Sequence, residues 1–467
     1  MLPRLAAVLA VSMSLVSCVS STSVYQKRGT EAPFPAPGTM TVAEFEASQD
    51  AQLDAEARSV ERFKDFEVGV LEITDDGLVN PAQKDQVFTM VKSNLDKPNE
   101  MLMVVFAHGW HHGPHVCDRD LACFRRVMER LATSKELRHR NAIVTGVYLG
   151  WRGESIRTKP WNNVSFWSRK NTAQHVGRTG AKEILLELDA MYHAAKKGGK
   201  NATMVTVGHS FGGALVFSAM KGLATGDAAG IIPGTDLQQT YRVVRAEGNR
   251  VDASKTGVKA TRARLGDLVV LVNPAIEADQ YKPFHADLPK SDSGKYHPPP
   301  DKDKPYDKSQ LPVLLAIAST ADKAVGMAFP AGRWLMALRD IDIAFDPSKR
   351  AGMGHYEPHI THKLTYPEKE FAETPRQCGC PKNFDSPVNI SHKPLNLHTT
   401  EVQDFGDLEF VPQHPDTWDV HSPYLVVQTN AGVMSEHSDI YNPVFVEFLT
   451  KFIRAYYARS MEVQSTD

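Results

Sequence analysis

Short, mainly apolar runs, separated by segments long enough for helices, constrain this chain more than any other feature. The runs are Phe66 to Ile73, Met101 to Ala107, Ile143 to Leu149, Thr203 to Val207, Leu268 to Val272, Val313 to Ala318 and Tyr424 to Thr429. Helical periodicity falls between them, over Pro81 to Leu95, Leu121 to Ala132, Ala173 to Lys197 and Ser210 to Leu223, and again over Val444 to Tyr457 at the end. A strand that is apolar on both sides must be covered on both faces, and parallel strands need a crossover between them. The alternation therefore predicts an α/β fold: a mainly parallel sheet flanked by helices.

Two stretches break the rhythm. Residues 280–310 are polar and contain Pro298-Pro299-Pro300, and residues 346–420 combine His, Pro and polar residues with little periodicity. Structureless connections of this length are rare in a compact domain, so both are expected to be insertions. The second is expected to cover the pocket of the chain, because it lies between the strands that precede Asp322 and His437. The 53 Lys and Arg balance 55 Asp and Glu, which leaves no cationic excess to neutralise phosphates and argues against a nucleic-acid partner.

The N-terminus carries its own signal. Met1 to Arg4 supplies one positive charge and Leu5 to Val16 an apolar run too short for a stable span. Leu15-Val16-Ser17-Cys18 resembles the lipobox of bacterial lipoproteins. That resemblance implies removal of residues 1–17, lipidation of Cys18 and attachment to a membrane of the cell envelope, facing the periplasm or the exterior. Cleavage near Ser17 to Ser21 with simple secretion is the alternative. Residues 18–55, with Pro33, Pro35 and Pro37, read as the lipidated N-terminus and a tether, and residues 56–460 as the folded domain. Cys117, Cys123, Cys378 and Cys380 remain, an even number that fits up to two disulfides in an oxidising compartment. Of the three connectivities, a local Cys117–Cys123 bridge is sterically accessible, whereas Cys378–Cys380 would close a strained ring. The spacings are poor for zinc.

The chemistry concentrates at Gly208-His209-Ser210-Phe211-Gly212, which follows a Val-rich strand and opens a helix. This is the strand–turn–helix context of a nucleophile elbow, in which glycines two before and two after the serine leave room for neighbouring backbone. Together with Phe106-Ala107-His108-Gly109-Trp110 after an earlier strand, it resembles the lipase and esterase branch of the α/β hydrolases. It also resembles a bacterial subgroup carrying H-G-W-H-H and a later G-W-R-G, here His108 to His112 and Gly150 to Gly153. The resemblance covers residues 66–225 and implies a fold and a reaction type, not a substrate.

In that fold the chain order is serine, acid, histidine. Asp322 follows the strand ending at Ala318 and is the candidate acid, in competition with a helix-capping role, with Glu277 and Asp279 in reserve. His437 follows the last strand and is the candidate base; His209 sits beside the serine and His421 at the wrong end of that strand. An oxyanion hole needs two backbone N–H groups. Phe211, next after the serine, supplies one, and the resemblance to lipases implies Trp110 as the other. The histidines 108, 111, 112 and 115 invite a metal, but their spacing matches no familiar site and no acid joins them, so neither metal nor cofactor is expected. His108 is expected to brace the oxyanion loop and the other three to line the entrance. His355, His359 and His362 would share a helical face only if Pro358 did not break the helix. The expected activity is hydrolysis of small-molecule or lipid carboxylic esters. An amidase or thioesterase with the same triad is the alternative, and a catalytically silent envelope binding protein the rival.

Overall fold

Strands β2 (Phe66–Ile73), β3 (Met101–Ala107), β4 (Ile143–Trp151), β5 (Ala202–His209), β6 (Leu268–Val272), β7 (Leu314–Ser319) and β11 (Tyr424–Thr429) run parallel in the order β2-β4-β3-β5-β6-β7-β11. The computed structural model describes residues 38–49, 58–153, 166–224, 265–281, 310–328, 346–369, 371, 378–413 and 421–464. A short β1 (Val60–Arg62) pairs antiparallel with β2 at one edge. The strands are mainly apolar because both their faces are covered. On one face Val68, Val104, Phe106, Tyr148 and Val207 join the core with α3 (Arg119–Ala132) and α8 (Pro443–Gln464). On the other, Leu71, Met103, Val105 and Leu149 meet α2 (Pro81–Asp96), α5 (Phe166–Arg178), α6 (Gly180–Lys197) and α7 (Phe211–Ala224). The molecule is an α/β protein. No helix of the described residues is long and apolar enough to cross a membrane.

Several expectations are corrected. The segment expected as one helix over Ala173 to Lys197 is two, α5 and α6, broken at Thr179 (φ −119°, ψ −112°). Close contacts accompany the break, since a Cβ at Gly177 would lie 2.3 Å from the Leu215 carbonyl and one at Gly180 1.8 Å from that of Gly77. Part of the stretch expected as a tether is folded. Val42–Gln49 forms α1, which buries Val42 and Phe45 and pairs Glu46 with Arg126 of α3 at 2.7 Å.

The described residues of 346–420 have regular structure of their own. They supply β8 (His362–Thr365), β9 (Gln403–Asp404) and β10 (Glu409–Pro412), which extend the sheet beyond β11. β8 runs parallel to β11, β10 antiparallel to β8, and β9 antiparallel to β10. The cysteines pair across the chain, Cys117–Cys378 and Cys123–Cys380, so the expected local bridge does not form. Cys123 points from α3 into the core, where Cys380 lies alongside, and Cys117 precedes α3 on the same side. The expected signal segment 1–17, Cys18, the expected tether as far as residue 37 and most of 280–310 lie outside the described residues.

Candidate active site

Ser210 stands between β5 and α7 with φ 54°, a left-handed conformation that costs a side-chain-bearing residue about 1–3 kcal/mol. Two backbone bonds from its neighbours hold the turn: Ser210 N–H donates to the Val272 carbonyl at 2.9 Å and Ala275 N–H to the Ser210 carbonyl at 3.1 Å. The flanking glycines are required by space. A Cβ at Gly208 would lie 2.6 Å from the Gly212 carbonyl oxygen, and one at Gly212 would lie 2.1 Å from that of Ala107.

His437 follows β11 and Asp322 follows β7, at the same end of the sheet. His437 Nε2 is 2.6 Å from Ser210 Oγ, and His437 Nδ1 is 2.7 Å from Asp322 Oδ2. Asp322 also caps the turn that follows it: its Oδ1 accepts from Ala324 N–H and Val325 N–H, both at 2.9 Å. The capping role and the candidate acid role thus use different oxygens of one buried carboxylate. Of the reserve acids, Glu277 is held by Lys170 at 2.9 Å in a buried ion pair, and Asp279 lies in the turn Ala278–Tyr281.

A buried clamp, absent from the sequence reading, holds the histidine loop. The His437 carbonyl accepts from Asn273 Nδ2 at 2.9 Å and from His209 Nε2 at 3.1 Å. Asn273 Oδ1 accepts from Ser319 N–H at 2.9 Å, and Ser319 Oγ donates to the Met434 carbonyl at 2.6 Å. Asn273 achieves this at φ 42°, a conformation Asn tolerates better than most residues. The only signal was Asn273-Pro274 at the end of a strand, a pattern shared with ordinary turns. Burial, reinforced by the neighbouring His437, depresses the His209 pKa well below its ordinary value and keeps the ring neutral, as a single Nε2–H donor requires. His355, beyond the second insertion's start, also approaches: Gly326, four residues past Asp322, packs on its ring. Its Nε2 is buried without a hydrogen bond.

The two motifs H-G-W-H-H and G-W-R-G meet. Trp151 Nε1 donates to the His108 carbonyl at 2.8 Å, and Gly153 N–H to the His112 carbonyl at 3.2 Å. A Cβ at Gly153 would lie 2.4 Å from the His112 carbonyl oxygen. His108 stacks between Tyr148 and Trp151 at ring distances of 5.5 and 5.6 Å, and burial lowers its pKa to about 4. This loop sets Trp110 beside Phe211, their rings 6.0 Å apart, while Phe211 opens α7 where helical N–H groups lack intrahelical partners.

The histidines do not converge as a group. His111 adopts φ 67° against the Trp110 ring, His115 Nδ1 accepts from Cys117 N–H, His359 packs on Tyr281, and His362 stacks on Phe410. The expectation that no acid joins the first cluster is corrected, because Asp118 and Asp120 both face His112. These three have ligand atoms within 4.8 Å of one another, the one such group among the described residues that could hold a metal. In comparisons with protein families, curated proteins and solved structures, nothing matches this chain.

Proposed function

We propose that this chain is a serine hydrolase of the α/β-hydrolase type that cleaves carboxylic esters. The observation that carries the reading is the unbroken chain Asp322–His437–Ser210, with contacts of 2.7 and 2.6 Å. In this reading His437 Nε2 takes the Ser210 proton as Oγ attacks the ester carbonyl, and Asp322 fixes the imidazole and stabilises its charged form. The Trp110 and Phe211 N–H groups receive the negative charge that develops on the carbonyl oxygen. Collapse of the tetrahedral species expels the alcohol, which takes the proton from His437. Water then repeats the sequence on the acyl-enzyme and frees the acid and Ser210.

Amides and thioesters would use the same groups, so leaving-group preference is a matter for assay. Ser210→Ala should leave a folded protein and reduce hydrolysis of short p-nitrophenyl esters by at least about 10³-fold, because the covalent route is removed. Wild-type turnover in that variant would refute the reading. A silent binding protein on the same fold would fail to label with a fluorophosphonate. Location rests on Leu15-Val16-Ser17-Cys18, which supports a lipid anchor at Cys18 in the bacterial envelope. Cys18→Ser should move the protein out of the membrane fraction, since attachment by more than one acyl chain is firm and a single chain is marginal.

A further inference from the structure

His112 lies between two carboxylates. Its Nδ1 is 3.2 Å from Asp118 Oδ1 and its Nε2 3.4 Å from Asp120 Oδ1. A carboxylate accepts but does not donate, so Nδ1, within hydrogen-bond reach of Asp118, carries the hydrogen, while Nε2 faces Asp120 at ion-pair distance. Both carboxylates are themselves fixed. Asp118 caps α3, its Oδ1 accepting from Asp120 N–H at 2.8 Å and its Oδ2 from Gly113 N–H at 3.0 Å. Asp120 is 2% exposed, and its Oδ2 is buried without a hydrogen bond of ordinary geometry. The Asp120 carbonyl accepts from Tyr441 Oη at 3.2 Å, which ties the group to the segment that follows His437.

The geometry points to His112, Asp118 and Asp120 as a positioning unit for the oxyanion loop: the His112 ring, held between two carboxylates, and the Gly113 N–H on Asp118 anchor residues 109–113 to the start of α3 and so aim the Trp110 N–H. This rests on the hydrolase reading, because the loop matters to catalysis only if Trp110 serves the oxyanion. The main chain carries the effect. The His112 carbonyl accepts from Gly153 N–H while its ring is held from the other side, so the residue two after Trp110 is fixed at both ends. His111 between them is in the left-handed region at φ 67°, a conformation the chain would leave if released. A cation is the competing occupant of these ligand atoms. Burial disfavours the charge on His112, yet Asp120 and Asp118 carry its pKa up to about 9, against the repulsion of Arg119. His108, 6.5 Å away, and His209 are neutral rings nearby, and the Tyr148 and Tyr441 hydroxyls add to the surroundings.

The test uses the full chain carrying His112→Gln or Asp120→Asn, with a short soluble ester. Each variant should lose about 10- to 100-fold in kcat with KM changed less than about threefold, because oxyanion stabilisation is expressed in the transition state. Melting temperature and circular dichroism fix the folded fraction. A loss that vanishes when rates are expressed per folded molecule would make the unit merely structural and overturn the proposal. Wild-type kcat in both folded variants would overturn it as well. Independently of activity, ¹⁵N spectra at pH 7.5 should show His112 Nδ1 protonated and hydrogen-bonded; an unprotonated Nδ1 sinks the idea. So would a stoichiometric divalent ion in native mass spectra of the wild type that disappears in Asp120→Asn. Failure of the hydrolase reading looks different, since Ser210→Ala would then retain turnover.

Discussion

Asp322 divides its carboxylate between the histidine and the turn that presents it, so the two oxygens respond to different substitutions. Asp322→Asn can keep the acceptor to Ala324 and Val325 N–H yet offers no charge to His437. It should therefore remain folded and lose about 10³- to 10⁴-fold in kcat for a short ester. Asn273→Ala is expected to act on both counts. It removes a donor to the His437 carbonyl and leaves the Ser319 N–H without its acceptor, at a cost of about 1–3 kcal/mol in stability and about tenfold in kcat. Equilibrium unfolding and steady-state kinetics on the same preparation separate the two effects. Ser210, His437 and Asp322 could be named from the sequence because chain order and strand ends restrict the choice to few residues. Asn273, His209 and Ser319 could not be assigned to their clamp. Their role is to hold a loop more than 100 residues away, as the separation of 164 between Asn273 and His437 illustrates, and no local pattern encodes such a contact.

Between elements, the two disulfides join the start of α3 to a segment more than 250 residues later, with separations of 261 and 257. Once one bridge exists, the other closes only a small ring through Cys117 to Cys123 and Cys378 to Cys380. Cys123→Ala with Cys380→Ala should thus cost about 2–3 kcal/mol, and removal of the second bridge a further ~5 kcal/mol, on the chain-entropy account. Denaturant melts of the single- and double-bridge variants measure the difference; equal steps would show that ring size does not govern it. The strands of the parallel centre were legible because burial on both faces leaves an unmistakable apolar run, as in β3 and β6, whose bounds match the sequence reading. The edge was not. β8, β9 and β10 are four residues or shorter and half-exposed in places, and β8 contains His362 and Lys363, so nothing in their composition separates them from loop. The α1 helix was hidden for a related reason, since only Val42 and Phe45 of its eight residues reach zero or 1% exposure.

Across the whole molecule, stability should peak near pH 6.5 and fall on either side, the alkaline decline running from about 6.5 to 9. Burial holds His108 near 4 and His362 near 3, and depresses His209 as well, so these rings are neutral in the fold. The unfolded chain, with histidine near 6.5, takes up protons first as the pH falls. Their contribution is therefore complete above about pH 6.5 and drains away as the pH drops toward the folded values, amounting to ~3 kcal/mol for His108. Asp120, raised by burial to about 6, works in the opposite sense between pH 4 and 6 and softens the loss without reversing it, since four rings, the buried His355 among them, oppose one carboxyl. His112 sets the alkaline edge. Its pKa is raised to about 9, so the stability it supplies is present below pH 6.5, where the unfolded imidazole is also charged, and is lost as the pH rises through 9. His362 is the cleanest probe of the acid side, because it stacks on Phe410 at 4.4 Å at the far edge of the sheet, away from Ser210. His362→Gln should lower stability at pH 7.5 by the loss of that stacking but make the decline between pH 6.5 and 4 shallower. Urea melts at half-unit steps of pH would show it, and a slope identical to wild type would mean that His362 does not contribute to the acid transition.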